Sequence, residues 1–109
     1  MQIPKPERET DEAYLDFVRS QPCLCKGNDK GRKCLGDIAP HHTKTVGSGG
    51  SDYGTVPLCA EHHTECHSIG RDTFQDKYGI SFRDTIARLR TMYAIVRYET
   101  KHYEDYLEG

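Results

Sequence analysis

Five of the six histidines and two of the five cysteines fall between positions 41 and 67, in His41-His42 and then in CAEHHTECH at 59–67. Imidazole and thiolate are the donors that zinc prefers, and imidazole is also the side chain best suited to move a proton near neutrality. Cys59 and His62 stand in C-x2-H spacing, the reach of two ligands on one tetrahedral Zn2+. Two further ligands must come from elsewhere, and the upstream loop offers Cys23, Cys25 and Cys34. Cys34 and Cys23 are the expected partners. Cys25 competes with Cys23, because a C-x-C pair fits one small tetrahedral site only through a tight knuckle turn. His63 and His67 lie one helical turn apart, so their rings project from one face and can grip a second ion. His62 points roughly 100° away from His63 on the same helix, so one short helix can serve two metals. His41 and His42 are adjacent, and strand neighbours face opposite sides; both serve one site only at a strand end or bend. One of the two imidazoles could then ligate the ion while the other, free of metal, takes a proton from water. Cys66, inside the helix, reads as a packed small hydrophobe rather than a nucleophile.

These groups need a scaffold, and the chain has little apolar material for one. Its 109 residues suffice for a single small domain, but only 35% are hydrophobic and there is no Trp. A core so thin leans on an extra cross-link, a disulfide or a metal. An odd number of cysteines and a start, MQIPKPERETDE, without a basic and then an apolar stretch argue against a secreted disulfide framework. The expected setting is the cytoplasm, where thiols stay reduced and bind metal. No apolar run approaches the roughly 18 residues of a membrane span.

The elements can be sketched from pattern. Residues 1–9 read as an arm. Thr10 or Asp11 caps a first helix to about Ser20, with Tyr14, Phe17 and Val18 on one face, and Pro22 ends it. From 23 to 36 the chain has loop composition without periodicity and folds only if something ties it. A short edge strand over 37–45, a glycine-rich turn at 47–54 and a second strand over 55–58 precede the helix that begins after Cys59 and stops at Gly70. A short helix over 73–78 is ended by Gly79. Last, Phe82, Ile86, Leu89, Tyr93, Val96, Thr100, Tyr103 and Leu107 recur at alternating steps of four and three, an amphipathic helix with Ser81 as N-cap. Such a stripe serves either packing on its own domain or a homodimer seam.

The combination of HH, a GG turn, PLC-x2-HH and x3-H, carried by APHHTKTVGSGGSDYGTVPLCAEHHTECHSIG and the following TFQDKYGI, resembles the HNH nucleases. The branch is that of the small phage-type nucleases related to the recombination-enhancement nuclease of temperate phages. The resemblance implies an α+β fold: a small ββα-metal core with a structural zinc knuckle over 22–80, flanked by an N-terminal arm and helix over 1–21 and a long C-terminal helix over 81–109. It implies that His41 ligates the catalytic ion, that His42 is the general base, and that His63 and His67 complete the ligand set. The structural Zn2+ would be held by Cys59 and His62 where relatives show C-x2-C. Where the family's middle Asn buttresses the base, this chain has Gly54, so Asp52 or a nearby backbone carbonyl is expected to orient His42. The implied activity is hydrolysis of DNA phosphodiester bonds, nicking or cleaving with low sequence specificity and leaving 5′-phosphate and 3′-hydroxyl ends. The implied catalytic ion is Mg2+, Mn2+, Ni2+ or Zn2+. DNA is the expected partner, joined by a recombination protein in phage or prophage DNA processing.

A net charge of −2 argues against nucleic-acid binding by bulk charge alone. The charge is uneven, however: residues 21–50 carry Lys26, Lys30, Arg32, Lys33 and Lys44 against Asp29 and Asp37. Lys44 and Arg71, with Lys26, Lys33 or Arg83, are expected to contact phosphates, which positions DNA without reading its sequence. The competing reading is a zinc-stabilised nucleic-acid-binding module without catalysis. A zinc deaminase is disfavoured: P-C-x-x-C is absent, and Glu61 and Glu65 lie away from the His63 and His67 face.

Overall fold

The computed structural model describes residues 9–28, 31–44 and 50–108. Of the expected arm over 1–9 only Glu9 is described, and positions 45–49 of the hairpin connection, the start of the expected glycine-rich turn among them, lie outside the described residues. The fold is mixed α+β, with four α-helices and one two-stranded sheet among the described residues.

Helix α1, Glu12–Arg19, begins where Asp11 leaves extended backbone and its carboxylate accepts the Tyr14 N–H at 3.0 Å. That carboxylate satisfies one of the unpaired donors of the first turn. Tyr14, Leu15 and Val18 face inward, and Tyr14 stacks edge-on against Tyr93 with ring centroids 5.0 Å apart.

Strands β1, Ile38–His42, and β2, Thr55–Cys59, pair antiparallel in a register that runs from Ile38 opposite Cys59 to His42 opposite Thr55. Pro40 falls opposite Pro57. The Pro57 carbonyl points away from β1 and accepts the Leu24 N–H at 2.8 Å, so both prolines occupy the pair whose missing N–H would face outward. This register is the one a hairpin with a proline in the middle of each strand tolerates. A single 3-10 turn, Asp52–Gly54, leads into β2, every residue of which is buried.

Helix α2, Ala60–Ile69, follows directly from β2. Gly70, with φ +92°, reverses the chain, and helix α3, Arg71–Tyr78, starts two residues earlier than the expected Thr73 because that turn needs only one residue. Gly79 closes α3 in the left-handed conformation. Ser81 then caps helix α4, Phe82–Glu108, its hydroxyl accepting the Asp84 N–H at 3.1 Å.

The core gathers Val56 and Leu58 from β2, Cys66 from α2, Phe74 and Tyr78 from α3, and Phe82 from α4. The stripe of α4 divides in two. Phe82 and Leu89 are buried on the domain, whereas Val96 and Leu107 are 49% and 63% exposed. No helix among the described residues is long and apolar enough to cross a membrane.

Candidate metal centres

The loop before β1 is held at both ends before any metal is considered. The Leu24 N–H bond to Pro57 fixes Cys23 beside β2, and the Glu61 N–H donates to the Leu35 carbonyl at 3.1 Å, fixing Cys34 beside the first turn of α2. Gly36 makes that second approach: its φ is +86°, and a Cβ there would sit 2.5 Å from the Ala60 methyl. The result is a cluster in which the donor atoms of Cys23, Cys34, Cys59 and His62 all lie within 4.8 Å of one another. The three sulfurs are 3.6, 3.6 and 3.1 Å from His62 Nδ1. His62 Nε2 lies 2.7 Å from the Arg32 carbonyl, which can only accept, so Nε2 carries the proton and the Nδ1 lone pair faces the thiols. A set of three sulfurs and one imidazole in this arrangement could hold a metal such as zinc.

Cys25 stands outside the four, fully buried behind Cys23. Its thiol donates to the Cys23 sulfur, and this contact, against the opposing effect of burial and helped by the Cys59 and Cys25 N–H groups, brings Cys23 down to about 4. The same contact and burial push the Cys25 thiol up. All five cysteines are free thiols.

Glu65 is a site residue that periodicity missed. It shares the inward face of α2 with His62 and Cys66, is 3% exposed, and accepts from the Tyr78 hydroxyl and from Lys77 Nζ at 2.6 Å, with Arg32 Nε at 3.5 Å. Burial would raise its pKa, but these donors outweigh it and hold the carboxyl below its ordinary value. Glu65 thus ties the cysteine loop, α2 and α3 together. The signal for it in the sequence was the i, i+3, i+4 spacing of His62, Glu65 and Cys66.

On the flank of α2 a second group forms. His41, His63 and His67 have donor nitrogens within 4.8 Å of one another, and the facing Nε2 atoms of His63 and His67 are 3.0 Å apart. His41 projects from β1 onto α2, with its ring centroid 5.1 Å from each of the other two. It is 6% exposed; Cys66 Sγ lies 3.5 Å from its Nε2, and its Nδ1 is buried with no hydrogen-bond partner among the described residues. Burial, with His63, His67 and His42 nearby, lowers the His41 pKa to about 4. Burial and His67 lower that of His63. Both are neutral near pH 7, the state in which imidazole ligates. A buried nitrogen left without a partner beside two converging imidazoles is what a divalent cation would satisfy, so the residues fit such an ion.

His42 is the last residue of β1 and turns the other way, toward the 3-10 turn. Its Nε2 lies 2.9 Å from Asp52 Oδ1, with side-chain exposures of 23% for His42 and 4% for Asp52. An ionised carboxylate only accepts, so Nε2 carries the proton and Nδ1 is the basic nitrogen. Asp52 is held in turn: its Oδ2 accepts the Asp11 N–H at 2.9 Å. The Asp11 carboxylate that caps α1 also accepts the Tyr53 hydroxyl at 2.6 Å. The N-terminal helix thereby sets the carboxylate that orients His42.

The basic residues are exposed. Arg71 reaches the Thr43 carbonyl at 3.4 Å, which puts it, with Lys44, beside the strand end that carries His42. Lys26 and Lys33 lie in the cysteine loop, and Arg83 in the first turn of α4.

Among curated proteins the chain is similar to the uncharacterized protein YdfU of Escherichia coli (strain K12), 38% identical over 86 residues, which cover 72% of this chain and 22% of the relative. The chain therefore spans about a fifth of that relative's length. No solved structure matches. The model of the family described as "Protein of unknown function (DUF968)" matches residues 1–95, and with most of its length inside that match the chain belongs to this family.

Proposed function

We propose that this chain is a metal-dependent endonuclease domain of the HNH type, built on a ββα-metal unit and hydrolysing DNA phosphodiester bonds. The observation that carries the reading is the pair of opposed histidines at the end of β1. His41 joins His63 and His67 in a metal-competent trio, and His42 is poised by Asp52 as a base. A module that only bound zinc and nucleic acid would have no use for a buried carboxylate orienting a partly exposed imidazole.

His41, His63 and His67 would hold the divalent ion, Mg2+, Mn2+, Ni2+ or Zn2+. When bound, such an ion supplies Lewis-acid stabilisation of the charge on the phosphate and on the leaving oxygen. His42 Nδ1 takes the proton of the attacking water, while Asp52 stabilises the imidazolium that results and fixes its tautomer. Gly54 leaves no side-chain amide on the 3-10 turn, and Asp52 fills the orienting role two residues earlier. Arg71 and Lys44 flank this strand end and bind the phosphate backbone, which gives affinity without sequence preference. The Cys23, Cys34, Cys59 and His62 cluster holds structural zinc and keeps α2 in register with β1.

The test is nicking of supercoiled plasmid by the purified chain with Mg2+, Mn2+ or Ni2+, beside a His42→Ala variant that retains structural zinc. Nicking by wild type and its loss in the variant support the reading. Equal activity in both removes His42 as the base, and no activity in either favours the non-catalytic zinc-stabilised nucleic-acid-binding module.

A further inference from the structure

We infer that the outer part of α4, residues 95–108, is an antiparallel docking seam for a second copy of this chain. The seam is independent of whether the histidine site cleaves DNA. The inner part of the helix spends its stripe on the domain: Phe82 and Leu89 are buried, and Tyr93 packs against Tyr14 and Phe17 with ring centroids 5.0 and 5.2 Å away. Beyond Tyr93 the same seven-residue pattern continues through Val96, Thr100 and Leu107, none of them covered by the described residues of the domain, and Val96 and Leu107 are 49% and 63% exposed. A coiled-coil repeat that outlasts its own domain is read by another helix of the same pitch.

Charge selects the occupant and its direction. Within this segment Arg97 and Lys101, with Glu99 between them, precede Glu104, Asp105 and Glu108, so the flank that carries Arg97 and Glu104 is complementary to itself when reversed. Laying Val96 of one copy beside Leu107 of the other places Thr100 near the two-fold axis. Arg97 and Glu104 each follow a stripe position by one residue, the flank that meets its own kind in antiparallel pairs, so Arg97 faces Glu104 of the second copy twice. Parallel pairing would instead set Glu99 against Glu104 of the second copy, like against like. Arg97 and Glu104 are both exposed. The reversed register also fits the domains. The end of the second helix arrives at Val96, just short of the Tyr93 contact, and the two domains lie at opposite ends of the pair.

Sedimentation of the zinc-loaded full chain over a concentration series tests this. Wild type should shift from monomer to dimer. Arg97→Glu alone and Glu104→Arg alone should each raise the dissociation constant about tenfold, because each turns two attractions into two repulsions. An equimolar mixture of the two variants should recover wild-type association, since one chain is then acidic and the other basic at both positions. Val96→Asp should abolish association, with circular dichroism and zinc content unchanged because the position is exposed in the single chain. A wild type that stays monomeric at every concentration, single variants that associate like wild type, or a mixture that fails to recover would each overturn the seam.

Discussion

The two metal-competent clusters share one helix and differ in almost everything else. The sulfur-rich cluster draws its donors from a loop, a strand end and a helix that are brought together only by folding, and His62 and Cys59 are almost fully buried within it. The all-histidine cluster needs one strand and one helix face, and its members grade from buried His41 to exposed His67. Zinc at the first would close a loop whose only leucines are Leu24 and Leu35, so its binding free energy would be folding free energy. An ion at the second meets ligands that α2 and β1 already position. The same neighbouring histidines, His62 and His63, therefore serve opposite ends of the relation between metal and fold.

That contrast can be broken most sharply at the sulfur-rich cluster. Cys59→Ser or stripping by a strong chelator should unfold the domain, a loss of several kcal/mol or more, seen as collapse of the melting transition and released by zinc re-addition in the wild type only. Cys25→Ser should keep zinc, because Cys25 lies outside the four donors. Next comes Gly36→Ala, which combines a left-handed backbone with a clash on Ala60 and should cost about 1–3 kcal/mol in chemical denaturation. His63→Ala with His67→Ala should sharpen the comparison from the other side. One equivalent of bound divalent metal is lost in titration calorimetry while the zinc-loaded melting midpoint moves by no more than a few degrees.

The smallest effect concerns the cap that holds Asp52. The Tyr53 hydroxyl and the Tyr14 N–H hold the Asp11 carboxyl below its ordinary value. Ionised Asp11 therefore stabilises the fold above the unfolded carboxylate range, and that contribution is lost as pH falls through the lower folded value. Asp11→Ala should cost about 1 kcal/mol near neutrality, the worth of an N-cap, and its gap from wild type should narrow in acid, measured by denaturant melts across pH.

How much of this was legible in the chain depended on the range of the interaction. A first cap at Thr10 or Asp11, Ser81 as the last cap, Gly79 as a stop, and the C-x2-H and H-x3-H spacings are local, and the sequence states them within one turn of the residue concerned; the structure selects Asp11. The α+β arrangement of hairpin and helices followed from the same short-range signals. Whether Cys23 or Cys25 joins the cluster was not local: it is settled by the Leu24 bond to Pro57, between segments with no shared periodicity. The Asp52 tie to Asp11 spans 41 positions. Glu65 was placed only as lying away from the His63 and His67 face, because its donors, Lys77, Tyr78 and Arg32, belong to other elements. The stripe of α4 announced an apolar face but not that the domain covers only its first half.

The facing prolines of the hairpin have a consequence for the protein's conduct in concentrated solution. Because Pro40 and Pro57 present their ring nitrogens to the outer sides, each edge of the sheet lacks a donor at its midpoint, and the one carbonyl on the β2 side is already taken by Leu24. A stray extended segment cannot zip onto either edge without leaving an unanswered acceptor in the middle. The smallest sheet a protein can have is thus kept at two strands by its missing donors and, on the β2 side, by the Leu24 contact as well. A chain with little core is thereby spared the templated, fibre-forming growth to which open hairpins are prone.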